Sequence, residues 1–358
     1  MTNYILPFLL TFGLSFILTL FVRRIALKQE WFDLPSPRKI HHKPVPRLGG
    51  VAIFVSFLLV VIGYLIFAPD KLSFVFEKIA GIDKNLFGVL LGAIILVGAG
   101  IYDDLKGLKP FHKLIIQFLA AVIVASFGIK IWWLSNPFGS QIVLGSFGSI
   151  FVILWIVLVI NVVNWLDGLD GLATGVSGIS SLVLFYLALV PTVNQPATAL
   201  LCIIVAGAAL GFLPFNFNPA KIFLGDSGSM FLGFMIAIFA IISGGKIATA
   251  ALVLGIPIFD AIWVILRRLF QKKAPWQADR KHLHHRFLYA GLSQKSAVLM
   301  LYAMAAGFGI LSLYSGTLGK FWAMCALLVF MIFLAIILIV AEKPHSTSSL
   351  NKVRDKSG

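Results

Sequence analysis

The chain contains a succession of apolar stretches, each about as long as a membrane-spanning helix, and this pattern constrains its fold more than any other feature. A helix needs roughly 20 apolar residues to cross the hydrocarbon layer of a bilayer. Hydrophobic residues make up 59% of the 358-residue sequence, and charged residues only 12%. A water-soluble domain of this length does not have such a composition. The sequence therefore predicts a polytopic membrane protein.

The apolar stretches divide into separate segments of spanning length. Because the backbone must satisfy its own hydrogen bonds in lipid, we expect an all-α fold with about 11 transmembrane helices. The predicted spans cover residues 4–22, 48–68, 86–102, 112–128, 149–165, 172–190, 197–213, 229–243, 247–266, 296–315 and 320–341. We interpret residues 1–341 as a single integral-membrane domain with active-site loops, and the polar residues 342–358 as a cytoplasmic tail.

The basic residues predict how this bundle is oriented, since Lys and Arg are retained on the cytoplasmic side of a membrane. With the N-terminus outside and the C-terminus cytoplasmic, the inner segments hold 23 of the 29 lysines and arginines, and all seven histidines. The net charge of +15 then favours anionic lipid head groups or an anionic substrate, and nucleic acid is not an expected partner. On the outer side, the sequence around Asn136 and Pro137 predicts a small β-hairpin.

Four polar clusters occur on the predicted inner side, and the first is the pair Asp103 and Asp104, followed by Lys113. Adjacent helical residues point about 100° apart, so the two carboxylates need not share a proton. They can instead address different partners, one a metal or nucleophile and the other a basic anchor. The alternative interpretation is a charged helix end whose lysines fix the topology.

In the second cluster, polar residues recur every third position at the inner end of the fifth span. This spacing places Asn161, Asn164 and Asp167 on one drifting helical face. Gly168 and Gly171 then allow the helix to break and a phosphate or a nucleotide base to approach bare backbone. The same residue types also cap helices and form turns. However, polar groups at membrane depth are costly unless they are used.

The third and fourth clusters carry a carboxylate and a group of basic side chains. Asp226, beside flexible glycines and short hydroxyls, is a hard oxygen ligand of the kind Mg²⁺ prefers when phosphates and water supply its other ligands. His282, His284, His285 and Arg286 lie among further basic residues that would repel a zinc ion. A clamp for phosphates or sugar hydroxyls fits them better, and a basic patch against the inner leaflet is the alternative.

In this order, the clusters resemble those of the polyprenyl-phosphate N-acetylhexosamine-1-phosphate transferases, known as glycosyltransferase family 4, over nearly the whole chain. The motifs are Tyr102-Asp103-Asp104 with Lys113, residues 161–171, residues 223–228, Asp279-Arg280, His282-Leu283-His284-His285-Arg286, and a loop at residues 38–50. The histidine motif is similar to that of the N-acetylglucosamine branch. The whole pattern looks closest to the undecaprenyl-phosphate enzymes that initiate teichoic acid or O-antigen. The muramoyl-pentapeptide branch, which tends to carry three consecutive histidines, is the alternative.

The resemblance implies transfer of N-acetylglucosamine 1-phosphate from UDP-N-acetylglucosamine to undecaprenyl phosphate, with UMP released, at the cytoplasmic face of a bacterial plasma membrane. It implies Mg²⁺, with Mn²⁺ as an alternative, and as partners the lipid phosphate, the UDP-sugar and the bilayer, with a homodimer left open. The expected catalytic residues are Asp103, Asp104, Lys113 and Asp167; the substrate-binding residues Asn161, Gly168, Asp170, His282, His284, His285 and Arg286; and the metal ligands Asn164 and Asp226.

Two rival interpretations come from other functional classes. A transporter or lipid flippase would use a similar number of spans and a similar basic inner face. A transporter, however, normally places polar groups near the membrane midplane, whereas the clusters here gather at one side. A scaffold protein would use the carboxylates only to hold loops together.

Overall fold

A computed structural model describes residues 2–34, 43–75, 77–242, 247–271 and 283–341, and within these ranges the protein is predominantly α-helical. The helices are α1 (Thr2–Lys28), α2 (Gly49–Phe67), α3 (Lys84–Lys106), α4 (Pro110–Ser126), α5 (Phe147–Leu166), α6 (Leu172–Leu189), α7 (Pro196–Asn216), α8 (Gly225–Ile242), α9 (Ile247–Val253), α10 (Gly255–Phe270), α11 (Leu283–Tyr289), α12 (Gln294–Tyr314) and α13 (Thr317–Ala341). A short 3₁₀-helix, Pro69–Leu72, follows α2.

Every predicted span coincides with a helix or a pair of helices. In the described parts of the chain, nine helices are long and apolar enough to cross a membrane. The helix α4 is shorter than these, and α9 and α10 together form a bent pair. The all-α, multi-pass membrane architecture is therefore confirmed, while the count of 11 spans and the orientation stay predictions. The predicted tail, residues 342–358, lies outside the described residues.

One predicted span differs from the structure. The segment 247–266 was expected to be one continuous helix, but it consists of α9 and α10, which meet at an angle of 80°. The break falls at Leu254, between the two helices. Pro257 lies in the first turn of α10, where a residue without a backbone N–H is tolerated because that donor would have no partner in the helix. The chain can therefore start a new helix at this point.

Three antiparallel pairs of two-residue strands accompany the helices. They are β1 (Phe32–Asp33) with β2 (Val45–Pro46), β3 (Lys78–Ile79) with β4 (Ile82–Asp83), and β5 (Trp133–Leu134) with β6 (Ile142–Val143). The hairpin expected around Asn136 and Pro137 is thus confirmed as β5 and β6. The other two pairs were not predicted.

The most buried helices are α6, α7 and α8, and the start of α8 packs directly against the start of α2. Backbone hydrogen bonds join the two chain segments, from Phe223 N to Pro46 O (2.8 Å) and from Gly50 N to Leu224 O (2.8 Å). A Cβ atom on Gly50 would lie only 2.0 Å from the backbone nitrogen of Gly228. Backbone contact therefore fixes where α8 begins.

Candidate active site

The first three polar clusters converge where α3 and α5 end and α4 and α8 begin. The ammonium group of Lys113 lies between two carboxylates: it forms an ion pair with Asp103, and its Nζ atom is 2.7 Å from Oδ2 of Asp226. Lys113 and Asp226 are 113 residues apart in the chain. Asp103 is buried, whereas Lys113 is partly exposed. The lysine thus remains within reach of an anion arriving from the loop side.

The other carboxylate oxygen of Asp226 binds an amide from α5. Nδ2 of Asn164 donates to Oδ1 of Asp226 and also, over 2.8 Å, to the hydroxyl of Ser229. Ser229 in turn donates to the carbonyl oxygen of Gly225 (3.0 Å). The two predicted metal ligands, Asn164 and Asp226, are therefore in direct contact. Ser229 was not predicted, although it lies three residues after Asp226 and so shares its helical face.

Asp104 binds the beginning of α8. Its carboxylate accepts hydrogen bonds from the backbone amides of Asp226 (2.9 Å) and Ser227 (3.2 Å) and from the Ser227 hydroxyl (2.8 Å). A carboxylate is favourable at a helix N-terminus, where unpaired N–H groups carry positive charge. Gly225 permits this approach: it adopts a φ of +74°, and a Cβ there would lie 2.5 Å from Oδ2 of Asp104.

Asp103 and Asp104 therefore address different partners, as their helical spacing predicts. Asp103 contacts the basic side chain of Lys113 and accepts a hydrogen bond from the backbone of Leu108. Asp104 contacts the amides that open α8. The geometry gives Asp104 a clear positioning contact, and its catalytic role stays a prediction.

Asp167 follows α5 and lies near the other acidic groups. Its pKa is raised well above that of an ordinary aspartate, first by burial and then by the negative charges of Asp226 and Asp104. The Gly225 amide opposes this effect by hydrogen bonding to the carboxylate. Asp167 therefore keeps its proton to a higher pH than an exposed aspartate does. The neighbouring Gly168 is exposed and leaves the backbone accessible.

Asp170 is tied to the loop between α7 and α8. Its Oδ2 atom accepts hydrogen bonds from Nδ2 of Asn218 (2.8 Å) and from the backbone amide of Ala220 (3.0 Å). Asn218 also donates to Oε1 of Gln294 at the start of α12 (2.7 Å). Asp170 thus joins three segments of the chain, and its predicted contact with substrate is not tested by these bonds.

The fourth cluster is only partly described. His282 lies outside the described residues, and His284 and His285 are described only as backbone positions in the first turn of α11. Arg286, on the same helix, is buried. Oδ1 of Asp260 in α10 accepts a hydrogen bond from the backbone amide of Leu283 (2.9 Å), which ties α10 to the beginning of α11. The contacts of the histidine side chains stay predictions.

The residues around Asp226 offer an open set of oxygen ligands for Mg²⁺. Within the described parts of the chain, no group of three or more His, Cys, Asp or Glu side chains is arranged to hold a metal ion. However, Asp103, Asp226 and the amide of Asn164 provide hard oxygen atoms, and several carboxylates act on one another electrostatically around Lys113. This arrangement fits an ion that brings phosphate and water ligands with it, as Mg²⁺ does. It does not form a closed protein cage.

The chain is similar to known proteins over the region that contains the site. A model of glycosyl transferase family 4 matches residues 86–244, which include the first three clusters. The chain is 33% identical over 344 residues to a probable undecaprenyl-phosphate N-acetylglucosaminyl 1-phosphate transferase of Bacillus subtilis, with 94% of this chain and 92% of the relative covered.

Two further relatives are more distant bacterial proteins. An undecaprenyl-phosphate alpha-N-acetylglucosaminyl 1-phosphate transferase of Thermotoga maritima is 31% identical, with 84% of this chain and 87% of the relative covered. The protein of the same description from Escherichia coli is 27% identical, with 88% and 85% covered. The similarity therefore extends along most of the chain.

Proposed function

Because the chain belongs to glycosyl transferase family 4, we propose that it transfers N-acetylglucosamine 1-phosphate from UDP-N-acetylglucosamine to undecaprenyl phosphate and releases UMP. The observation that carries this proposal is the placement of Lys113 between Asp103 and Asp226, with Asn164 bound to the same Asp226. A cation held between two carboxylates suits a reaction between two phosphate-bearing substrates. The names of the relatives support the choice of sugar phosphate and lipid.

The reaction brings two anions together, and this determines what the protein must supply. A phosphate monoester has a second pKa of about 6, so the acceptor lipid phosphate is largely dianionic near neutral pH. It is already a nucleophile and needs positioning and charge neutralisation more than a strong base. Lys113 provides a positive charge for phosphate oxygens, and its two carboxylate partners hold the ammonium group in place. An oxygen of the acceptor phosphate forms a bond to the sugar-bearing phosphorus of the donor. The bond between that phosphorus and the bridging oxygen breaks at the same time, and UMP leaves with this oxygen.

Acidic residues with different surroundings can take different parts in this transfer. Asp226 and Asn164 would hold Mg²⁺, which supplies charge neutralisation at the donor diphosphate. Asp103 aligns Lys113, and Asp104 fixes the start of α8 on which Asp226 lies. Burial and the negative charges of Asp226 and Asp104 raise the pKa of Asp167, so its carboxylate binds a proton more readily than an ordinary aspartate does. Its carboxylate is therefore suited to hold the last proton of the acceptor.

We further propose that the site faces the cytoplasm of a bacterial cell and that the product starts a surface polymer such as teichoic acid. The distribution of lysine and arginine supports the inner placement. The His-Leu-His-His-Arg motif ending at Arg286 supports N-acetylglucosamine as the sugar, by its resemblance to that branch of the family.

The direct test measures UMP release from purified protein in detergent with undecaprenyl phosphate, Mg²⁺ and one of two donors. We expect turnover with UDP-N-acetylglucosamine, no turnover with UDP-muramoyl-pentapeptide, and loss of turnover when EDTA removes the metal. Replacing Mg²⁺ with Mn²⁺ tests the alternative ion. Turnover with the pentapeptide donor alone would reverse the choice of substrate. A folded protein that uses neither donor would favour a transporter or a scaffold.

A matched pair of variants tests whether the chemistry occurs at this site. Asp226→Asn removes the charge that contacts Lys113, and we expect turnover to fall at least about a hundredfold. Asp70→Asn is the control, because Asp70 is exposed in the 3₁₀-helix at the opposite end of α2 from Gly50. Equal turnover in the two variants would place the reaction elsewhere.

A further inference from the structure

Behind the three side chains that meet at the site, each of their helices carries a second residue about one turn further into the bundle. The pairs are Lys113 and Gln117 on α4, Asn164 and Asn161 on α5, and Asp226 and Met230 on α8. Residues three or four positions apart lie on the same face of a helix. The residues of the second layer should therefore lie close together, like those of the first.

The contacts of the second layer agree with this spacing. Nδ2 of Asn161 donates to Oε1 of Gln117 over 2.6 Å and to the carbonyl oxygen of Val157 over 2.8 Å. Nε2 of Gln117 lies 3.9 Å from the sulfur of Met230. Gln117 is only 2% exposed, so its amide depends on partners within the protein. Both hydrogens of the Asn161 amide are used in these bonds.

This amide pair constrains how α4 lies against α5. The bond joins a buried glutamine to a partly buried asparagine, and removing one partner leaves the amide of the other without its hydrogen bond. The bond joins the two helices one turn from Lys113 and Asn164. Rotation or sliding of α4 would break it and would also move Lys113 relative to Asp226.

We propose that Gln117 and Asn161 are positioning residues, whose mutual hydrogen bond places Lys113 relative to Asp226 and Asn164. The kinetic part of this proposal rests on the proposed function. It gives Asn161 a role different from the substrate contact expected from the sequence, and it adds Gln117, which the sequence analysis did not single out. The pair acts through Lys113 and does not itself touch the reacting atoms.

The kinetic test uses Gln117→Met, which keeps the size of the side chain and removes its amide. We expect kcat to fall about tenfold or more, since small displacements of a positioning group are costly, while the KM for UDP-N-acetylglucosamine changes by less than about twofold. Gln117→Glu retains an acceptor oxygen for Asn161 and should recover most of the lost rate. Gln141→Met, in the loop that leads into β6, is the matched control because Gln141 is exposed. An unchanged kcat in Gln117→Met would overturn the proposal.

A second readout does not depend on turnover. An amine-acylating reagent followed by mass spectrometry measures how fast Lys113 is modified in each variant. We expect faster acylation of Lys113 in Gln117→Met than in wild type or Gln141→Met, because the lysine is held less firmly by its carboxylates. Asn161→Ala breaks the same bond from α5 and should give the same result, which covers a Gln117 variant that fails to fold.

The two proposals fail in distinguishable ways. If the wild type releases UMP with neither donor, the proposed function is wrong, and the acylation rates still decide whether Gln117 and Asn161 position Lys113. If the wild type turns over and Lys113 is acylated at the same rate in all folded variants, the positioning role is wrong and the proposed function stands.

Discussion

Two buried aspartates lie near opposite ends of α3, and they use the same bonds for different purposes. Asp83 caps the start of the helix through the amides of Asn85 and Leu86. It also accepts hydrogen bonds from the amides of Phe74 and Val75, so all its partners lie within nine residues of it in the chain. Asp104, near the other end, binds the amides of Asp226 and Ser227, more than 120 residues away. One carboxylate closes a local turn, whereas the other joins distant parts of the chain into a site.

The difference shows that a capping contact alone does not indicate whether a carboxylate has a purely structural role or helps to form a functional site. An N-terminal cap contributes about 0.5–2 kcal/mol to stability, both for Asp83 at the start of α3 and for Asp104 at the start of α8. Only at the Asp104 end does the capped helix begin with a residue that contacts Lys113. We therefore expect changes at the Asp83 end to alter stability alone, and changes at the Asp104 end to alter stability and turnover together.

The largest effect should come from removing the positive charge of Lys113, which lies at the Asp104 end of α3. Lys113→Met leaves Asp103 and Asp226 facing each other without their ammonium partner, and we expect turnover to fall by about 10²–10³. UMP release measures this effect. Lys130→Met is the control, because Lys130 is exposed beside the β5–β6 hairpin. If turnover fell less than tenfold in Lys113→Met, the Asp104 end of α3 would not differ from the Asp83 end in its effect on the reaction.

The aspartates themselves provide the next test. Asp83→Ala and Asp104→Ala should each lower the free energy of unfolding by about 0.5–2 kcal/mol through loss of a cap. Only Asp104→Ala should also lower turnover, by about tenfold or more, since the start of α8 is released. Thermal melts in detergent and UMP release are measured on the same samples. If Asp83→Ala lost as much turnover as Asp104→Ala, the comparison would not hold.

A smaller effect should appear in the pH dependence of stability. The folded-state pKa of Asp167 is raised above its unfolded value of about 3.9, so its contribution to stability is present below that value and is lost as pH rises through the folded-state pKa. Asp167→Asn cannot ionise. Its melting temperature should therefore fall less than that of the wild type between about pH 4 and neutral pH. Asp70→Asn should follow the wild type, and parallel curves for all three proteins would contradict the prediction.

The smallest effect concerns an ion pair beside Asp83. Lys84 pairs with the exposed Glu77, whereas Lys113 pairs with the buried Asp103. Exposed pairs contribute little, so Lys84→Ala should change the free energy of unfolding by less than about 1 kcal/mol and leave UMP release unchanged. A reduced rate in this variant would show that the Asp83 end also influences the reaction.

Much of the fold could be predicted because lipid imposes a simple rule on the chain. Apolar runs of spanning length located the helices, and turn residues located the β5–β6 hairpin. The break at Leu254 was missed because the apolar run continues through it, although Gly255 and Pro257, which follow it directly, are residues that often mark the start or end of a helix. Its direction depends on how α9 and α10 pack against other helices, and no local pattern in the sequence encodes that packing.

The membership of the site was easier to predict than its contacts. Asp103, Asn164 and Asp226 stand out because carboxylates and amides are rare beside apolar spans. That Asp104 would bind the start of α8 could not be predicted, since this depends on the relative rotation of two helices distant in the chain. Gln117 offered a signal, as a polar residue inside an apolar helix, but its partner could be identified only from the packing of α4 against α5.

The glycine contact between α2 and α8 has a consequence for variation in this protein. No side chain separates the two backbones where Gly50 meets Gly228, so their spacing is set by van der Waals radii and cannot be adjusted by choosing another rotamer. Even a methyl group at Gly50 would have to displace an entire helix. This position therefore has no mild substitution, although it carries no functional group of its own.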